Sequence, residues 1–317
     1  MRLAILDGFT VTQNDLTWDS LSALPNLEVD IFERTSREQT IERCQQCEAV
    51  LTNKVVLDRA TIEALPNLRY IGVLATGFNV VDTKAAHERG ITVTNIPSYS
   101  TPSVAQLVFA HLLNVTNNVS HYATENTQGR WARSRDFLWM DTPITELAGK
   151  TMAIRGLGNI GTQVAQIAQA FGMRVLAVTQ RADLPKGVER ANWETALKEA
   201  DILSLHCPLT DETREMINHT TLAKMKPSAI LINTGRGPLV NEQDVADALN
   251  EGRLCAYCAD VLSQEPPSET NPLLSAPRCY LTPHIAWASR ESRQRLIQIA
   301  VDNLKAYING NPQNVVS

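Results

Sequence analysis

The sequence predicts an α/β protein made of two doubly wound, parallel-sheet halves, and three observations lead there. Short apolar runs alternate with helix-like stretches from one end of the chain to the other, the order that builds parallel sheets through right-handed crossovers. Many of these runs are continuously apolar rather than alternating, as strands covered by helices on both faces should be. The alternation comes in two series with a break between them, and 317 residues is enough for two domains at about 150 residues each.

The first series contains "LAIL", "LEVDIF", "AVLTN", "LRYIGVL" and "ITVTN" as strands, separated by helical stretches such as "DRATIEALP" and "DTKAAHERG". After Pro97 and Ser98 comes one long helical pattern, "TPSVAQLVFAHLLNVTNNVSHYATENTQ", and then an irregular stretch rich in Trp, "GRWARSRDFLWMDTPITELAGK". The second series starts at Thr151 with "TMAI", followed by "RVLAV", "DILSLH", "AILIN", "CAYCADV" and "CYLTP". The last segment, "SRQRLIQIAVDNLKAYINGN", spaces Leu296, Ile299, Ala300, Leu304 and Tyr307 as one helix face. Its return to the first series divides the chain into residues 1–100 with 288–317, expected to bind substrate, and 101–287, expected to bind a dinucleotide.

Composition narrows the function. A hydrophobic share of 44%, a charged share of 20% and a net charge of −5 describe an ordinary globular chain. With no basic run, nucleic acid and anionic membrane are not expected partners. No segment approaches the roughly 20 apolar residues that span a bilayer. "MRLAILDGF" reads as a strand entering a turn rather than a secretory signal, and "NPQNVVS" carries no peroxisomal or ER address, so a cytoplasmic enzyme is expected. Two cysteine pairs have CxxC spacing. Cys44 and Cys47 lie in a helical stretch with no nearby His or Cys to complete a metal site. Cys255 and Cys258 lie in a strand, where residues three apart face opposite ways. Buried, reduced thiols and no metal are expected.

"TMAIRGLGNIGTQVAQIAQAFGMRVLAV" places Gly156, Gly158 and Gly161 in G-x-G-x-x-G spacing, after an apolar strand and at the start of a helix. The first glycine permits a tight turn, the second lets the backbone approach a pyrophosphate, and the third lets the helix pack on the strand. The helix from Asn159 and Ile160 then aims free N–H groups at the phosphates, with Val164, Ile167, Ala168 and Phe171 expected to face inward. Such turns are usually followed, about 20 residues on, by a carboxylate that binds the ribose hydroxyls. Here the position is Thr179, followed by Gln180 and Arg181. A carboxylate would repel a 2′-phosphate by about 4 kcal/mol per charge pair at 4 Å and an effective dielectric near 20. Its absence, with Arg181 beside it, favours NADP over NAD. Arg155, where an apolar or small residue is usual, reads as facing an acidic partner or a solvent gap.

Three polar residues follow strands of the second series. Arg236 lies in "AILINTGRGPLVNEQDV", Glu265 in "DVLSQEPPSETNP" and His284 in "CYLTPHIAWAS". Alone, each is an ordinary loop residue; together they suit reduction of a 2-keto acid. Arg236 can hold the carboxylate or carbonyl oxygen, His284 can deliver a proton to the forming alkoxide, and Glu265 can orient that imidazole and favour its protonated form.

These residues, with "VLATGFNVVD", "NIPSYSTPSVAQLVFAHLL", "ELAGKTMAIRGLGNIG", "LSLHCPLTDETREMIN", "LINTGRGPLVNE", "ADVLSQEPP" and "LTPHIAWAS", make the chain resemble the D-isomer-specific 2-hydroxyacid dehydrogenases, and within them the glycerate dehydrogenase (hydroxypyruvate reductase) branch. The resemblance implies two Rossmann-like domains with a cleft between them, a homodimer, and Arg236, Glu265 and His284 as the catalytic set. It implies that Leu74, Ala75, Thr76 and Gly77 offer N–H groups to the substrate carboxylate, with Trp287 beside the substrate. Gly156 to Gly161, Cys207, Pro208, Thr213, Thr234 and Gly235 would line the NAD(P) cofactor. Asp260 would bind the nicotinamide amide, with Ser103 and Val104 near that ring. The stretch from Trp131 to Trp139 would form a dimer arm, with Trp139 reaching toward the partner's active site. A D-lactate-type or phosphonate-oxidising dehydrogenase and a dinucleotide-sensing corepressor are the alternatives this resemblance leaves.

Overall fold

The five apolar runs of the first series form strands β1 (Arg2–Ile5), β2 (Glu28–Ile31), β3 (Ala49–Thr52), β4 (Tyr70–Val73) and β5 (Thr92–Thr94) of one sheet, in the order β2-β1-β3-β4-β5. All four pairings are parallel. These strands come from a computed structural model that describes residues 1–317. The chain divides into two compact units, Met1–Ser100 with Trp287–Ser317, and Thr101–Ala286.

In the first unit successive strand residues serve opposite faces, as the pleat requires. Leu3 and Ile5 pack with Leu51, Tyr70 and the final helix, Arg290–Ile308, through its Leu296, Ala300 and Leu304. Ala4, Leu6, Val50 and Ile71 pack on the other face with Ile62, Leu65 and Ala86. Every residue of β3 and β4 is buried, and each aliphatic side chain so withdrawn from water contributes about 1.5–3 kcal/mol. Double coverage is the reason these strands read as unbroken apolar runs.

The second unit holds β6 (Thr151–Arg155), β7 (Arg174–Val178), β8 (Val188–Arg190), β9 (Ile202–Leu205), β10 (Ile230–Asn233), β11 (Ala256–Ala259) and β12 (Cys279–Leu281). Their order is β12-β11-β10-β9-β6-β7-β8, and every pairing is parallel. The order reverses at β6, between β9 and β7, so the switch point that gathers ligands in open α/β sheets lies where the glycine turn leaves β6. No helix is long and apolar enough to cross a membrane.

Five details differ from the sequence reading. The long pattern from Thr101 to Gln128 is two helices, Thr101–Asn117 and Val119–Thr127, broken at Asn118 with φ +50°; Asn is one of the few residues that adopts this left-handed conformation readily. Strand β8 has no counterpart in the apolar pattern, because only Val188 of its three residues is buried and edge strands carry no apolar run. Phe171 does not turn fully inward: it stacks on Phe109 with centroids 5.4 Å apart and stays exposed. Trp287, assigned above to the end of the second domain, belongs to the first unit and meets Tyr99 edge-on. Cys44 ends the helix Arg37–Cys44, and Cys47 lies beyond it; both are buried free thiols, and burial pushes Cys44 up to about 12.

Candidate active site

Strand β6 runs directly into the glycine turn. Gly156 has φ +94°, and a Cβ there would lie 2.6 Å from the His206 carbonyl oxygen and 2.7 Å from the Cys207 nitrogen. A Cβ on Gly161 would lie 2.1 Å from the Gly156 carbonyl oxygen, so the helix Asn159–Ala170 reaches the strand only because that position is bare. Gly158 is the opposite case. A Cβ there meets nothing within 4 Å, and as N-cap it gives the helix no side-chain hydrogen bond. The turn thus presents an open face beneath a helix start that lacks a side-chain cap, a cradle suited to a pyrophosphate. Gly161→Ala is expected to cost about 1–3 kcal/mol of stability and to weaken dinucleotide binding, read by thermal unfolding and NADH fluorescence. Wild-type values for both would contradict this use of the turn.

The loop after β7 is tied from two sides. The Thr179 hydroxyl accepts from the Arg181 N–H at 3.1 Å. Arg190, at the end of β8, donates to the carbonyls of Thr179 at 2.7 Å, Arg181 at 2.6 Å and Ala182 at 3.0 Å. Gln180 is exposed. The Arg181 guanidinium lies over the first turn of the helix Asn159–Ala170, 3.3 Å from the Thr162 hydroxyl. Arg190 escapes a sequence reading because its partners are backbone carbonyls, which leave no side-chain signal. Arg155 is half-buried and has no acidic partner. Its guanidinium sits 5.6 Å from the Trp193 ring centroid, its Nε is buried without a hydrogen-bond partner, and no ion pair involves it.

Arg236, Glu265 and His284 follow β10, β11 and β12, three neighbouring strands that end on the same edge of the sheet. The Glu265 Oε2 lies 2.6 Å from His284 Nδ1, while its Oε1 accepts from the Leu262 N–H at 3.0 Å. One carboxylate thereby fixes both its own loop and the imidazole, and Nε2 is the ring nitrogen left for chemistry. His284 has φ +55° and its N–H donates to the Thr282 carbonyl at 2.9 Å; left-handed backbone at a residue other than glycine is concentrated at functional sites. A Cβ on Gly237 would lie 2.0 Å from the Leu262 carbonyl carbon, so the Arg236 loop and the Glu265 loop are packed backbone to backbone. The Arg236 side chain is exposed, with one internal bond, 2.8 Å to the Gly235 carbonyl.

Around these groups, Asp260 is buried at the end of β11 and accepts from the N–H groups of Ile285 and Ala286, each at 2.8 Å. Ser103 donates to the Ala286 carbonyl at 2.6 Å, and Val104 beside it is buried. The Thr234 hydroxyl, at the end of β10 next to Gly235, is buried without a partner, an orphan that a bound molecule would satisfy. Burial pushes the Cys207 thiol up, and Pro208 is exposed. Thr213 spends its hydroxyl inside its own loop, accepting from the Thr210 N–H at 2.7 Å and donating to the Pro208 carbonyl at 2.8 Å. The uncapped turn, the empty space over Gly158 and the orphan at Thr234 all fit a dinucleotide.

The remaining candidates sit in the first unit. Leu74 continues β4, buried, with its N–H on the Thr52 carbonyl at 2.8 Å; Ala75 and Gly77 are half-buried, and the exposed Thr76 donates from its hydroxyl to the Ile96 carbonyl at 2.8 Å. In the segment after the helix break, Trp139 turns back on its own chain. Arg130 lies 3.8 Å from its ring centroid, Tyr122 packs edge-on, and its indole N–H donates to Asn126 at 3.2 Å. Phe137, Leu138 and Met140 around it are exposed apolar residues.

A parallel sheet with its order reversal at a glycine cradle, and an Arg–Glu–His set on neighbouring strand ends, define a nicotinamide-dependent dehydrogenase of small hydroxy acids. Residues 109–286 match the model of the D-isomer specific 2-hydroxyacid dehydrogenase NAD-binding domain. The chain is 43% identical over 323 aligned positions to a hydroxypyruvate reductase of Blautia hydrogenotrophica, with all of each chain covered. It is 42% identical to a glycerate dehydrogenase of Methylorubrum extorquens, over 88% of each. Among solved structures, the TT0316 protein of Thermus thermophilus superposes with a TM-score of 0.89 at 33% identity over the whole of both chains. The chain belongs to the D-isomer specific 2-hydroxyacid dehydrogenase family, and its second unit carries the nicotinamide dinucleotide-binding domain.

Proposed function

We propose that this chain reduces hydroxypyruvate to D-glycerate, and glyoxylate to glycolate, with NADPH preferred over NADH. The observation that carries the reading is the 2.6 Å pair of His284 and Glu265, with Arg236 on the next strand end but one, in a chain whose full-length relative bears the name hydroxypyruvate reductase. Arg236 and the N–H groups of Ala75, Thr76 and Gly77 bind the substrate carboxylate, whereas the Leu74 N–H, expected to join them, is already spent on the Thr52 carbonyl. When bound, a reduced nicotinamide would supply the hydride for the carbonyl carbon. His284, protonated on Nε2 and oriented by Glu265, gives its proton to the carbonyl oxygen and is left neutral, so C=O becomes CH–OH. Gly156, Gly158, Asn159, Ile160 and Gly161 hold the pyrophosphate, with Thr234, Gly235, Cys207 and Asp260 along the rest of the cofactor. Trp287 limits the substrate to small acids. Initial rates with hydroxypyruvate, glyoxylate and pyruvate, each with NADH and NADPH, test the reading; pyruvate turned over fastest would replace it with a D-lactate-type activity.

The preference for NADPH rests on the missing carboxylate at Thr179 and on Arg181, whose loop Arg190 braces. Charge-assisted bonds from Arg181 to a 2′-phosphate are worth about 1.5–3 kcal/mol. Arg181→Ala is therefore expected to weaken NADPH binding roughly ten- to a hundredfold and to leave NADH within about twofold. Equal losses for both cofactors would sink 2′-phosphate recognition. A homodimer is part of the same reading, supported by the exposed Phe137, Leu138, Met140 and Ile144, an apolar face that a second copy would cover.

A further inference from the structure

The turn that carries His284 is held from behind by a chain of buried groups, two of which, His111 and Thr282, have no part in the proposed reaction. Asp260 is its centre: Oδ1 accepts from the Thr282 hydroxyl at 2.6 Å and from the Ile285 N–H at 2.8 Å, and Oδ2 accepts from the Ala286 N–H at 2.8 Å. The residues on both sides of His284 are thus hung on one carboxylate. Behind Thr282 stands His111, on the helix Thr101–Asn117, only 6% exposed, with Nε2 3.2 Å from the Thr282 hydroxyl oxygen. The direction of this chain follows from donor counting. A carboxylate only accepts, so the bond to Asp260 uses the single proton of the Thr282 hydroxyl. That oxygen can then only accept from His111, which must carry its proton on Nε2. Burial holds the His111 imidazole below its ordinary range, against the opposing pull of Asp260, which agrees with a neutral ring of this tautomer.

We infer that His111 is a positioning residue of the active site: through Thr282 it fixes the Asp260 carboxylate, and with it the backbone turn that aims His284. Nothing about His111 as a residue suggests this, since a histidine on the inner face of a helix is ordinarily only a packed core group. What sets it apart is that its one polar contact leads, in two further bonds, to the N–H groups of Ile285 and Ala286 that directly follow His284. The inference rests on the functional reading above only for the part His284 plays.

The test compares His111→Leu, His111→Gln and Thr282→Val in the full chain. Removing the donor in His111→Leu is expected to speed deuterium exchange at the Ile285 and Ala286 amides at least tenfold and to lower kcat about five- to twentyfold. His111→Gln, whose amide nitrogen can take the place of Nε2, should bring both back to within about twofold. On a Thr282→Val background, adding His111→Leu should change neither quantity further, because the link is already cut. Unchanged exchange in His111→Leu, a loss that Gln does not rescue, or additive losses in the double variant would overturn the inference. Should the leucine variant fold poorly, 15N spectra of the wild-type imidazole decide: Nε2–H supports the chain and Nδ1–H contradicts it. A wild-type chain that turned over no 2-keto acid would fail the functional reading instead, and the exchange data would still decide this one.

Discussion

Replacing His284 with alanine is expected to lower kcat for hydroxypyruvate by about 10²–10⁴, the range that a positioned general acid contributes, with little change in the thermal midpoint. The two halves of this expectation have separate causes. The imidazole is partly exposed, at 28% of its side-chain surface, and its one side-chain hydrogen bond is with Glu265, so its removal leaves no cavity in the core. Its backbone conformation, φ +55°, is imposed by the Asp260-bound turn and by its own N–H on the Thr282 carbonyl, contacts that alanine keeps. Chemically, the developing alkoxide loses its proton donor while the hydride donor and the carboxylate anchor remain. Binding of the keto acid and of the cofactor should stay near wild type, so the loss appears in kcat more than in KM. Near wild-type turnover in His284→Ala would remove His284 from the acid role.

The second large effect is expected at Arg236. Its guanidinium is exposed, and its only internal hydrogen bond is to the carbonyl of the preceding residue, so it has donors free for a substrate. Two charge-assisted bonds at about 1.5–3 kcal/mol each place the cost of Arg236→Ala near 10²–10⁴ in kcat/KM. Most of that cost should appear in KM, because a carboxylate is bound in both ground and transition states. Arg236→Lys should recover only part of it, since a point ammonium cannot reproduce a two-pronged contact. Steady-state kinetics on the wild type and both variants checks this; a kcat loss with unchanged KM would mean that Arg236 acts on the carbonyl oxygen alone.

How much of this could be read from the sequence follows from what each residue contacts. Strands such as β3, β4, β9, β10 and β11 are buried along their whole length, and that environment writes itself as a continuous apolar run. β8, an edge strand with two exposed residues, leaves no such trace. The glycine turn is visible because steric limits at Gly156 and Gly161 permit no other residue. Arg236, Glu265 and His284 are visible because each follows a recognisable strand, although only the structure brings Glu265 to the imidazole. Arg155 departs from its expected surroundings, since its neighbour is the Trp193 ring, 38 residues further along the chain, rather than a charge. Arg190 and the Thr282–Asp260 link work through backbone groups and through side chains distant in sequence, and no local pattern records those.

With His284 supplying the proton, a bound reduced nicotinamide would give its hydride directly to the keto carbon. The most direct measurement uses NADPH carrying deuterium at the reactive face of nicotinamide C4, with hydroxypyruvate in ordinary water. One deuterium is expected at C2 of the D-glycerate formed, with none on oxygen after exchange and a slower hydride step than with unlabelled cofactor. Glycerate whose C2 hydrogen came from solvent, or label retained wholly on the cofactor while product forms, would contradict it.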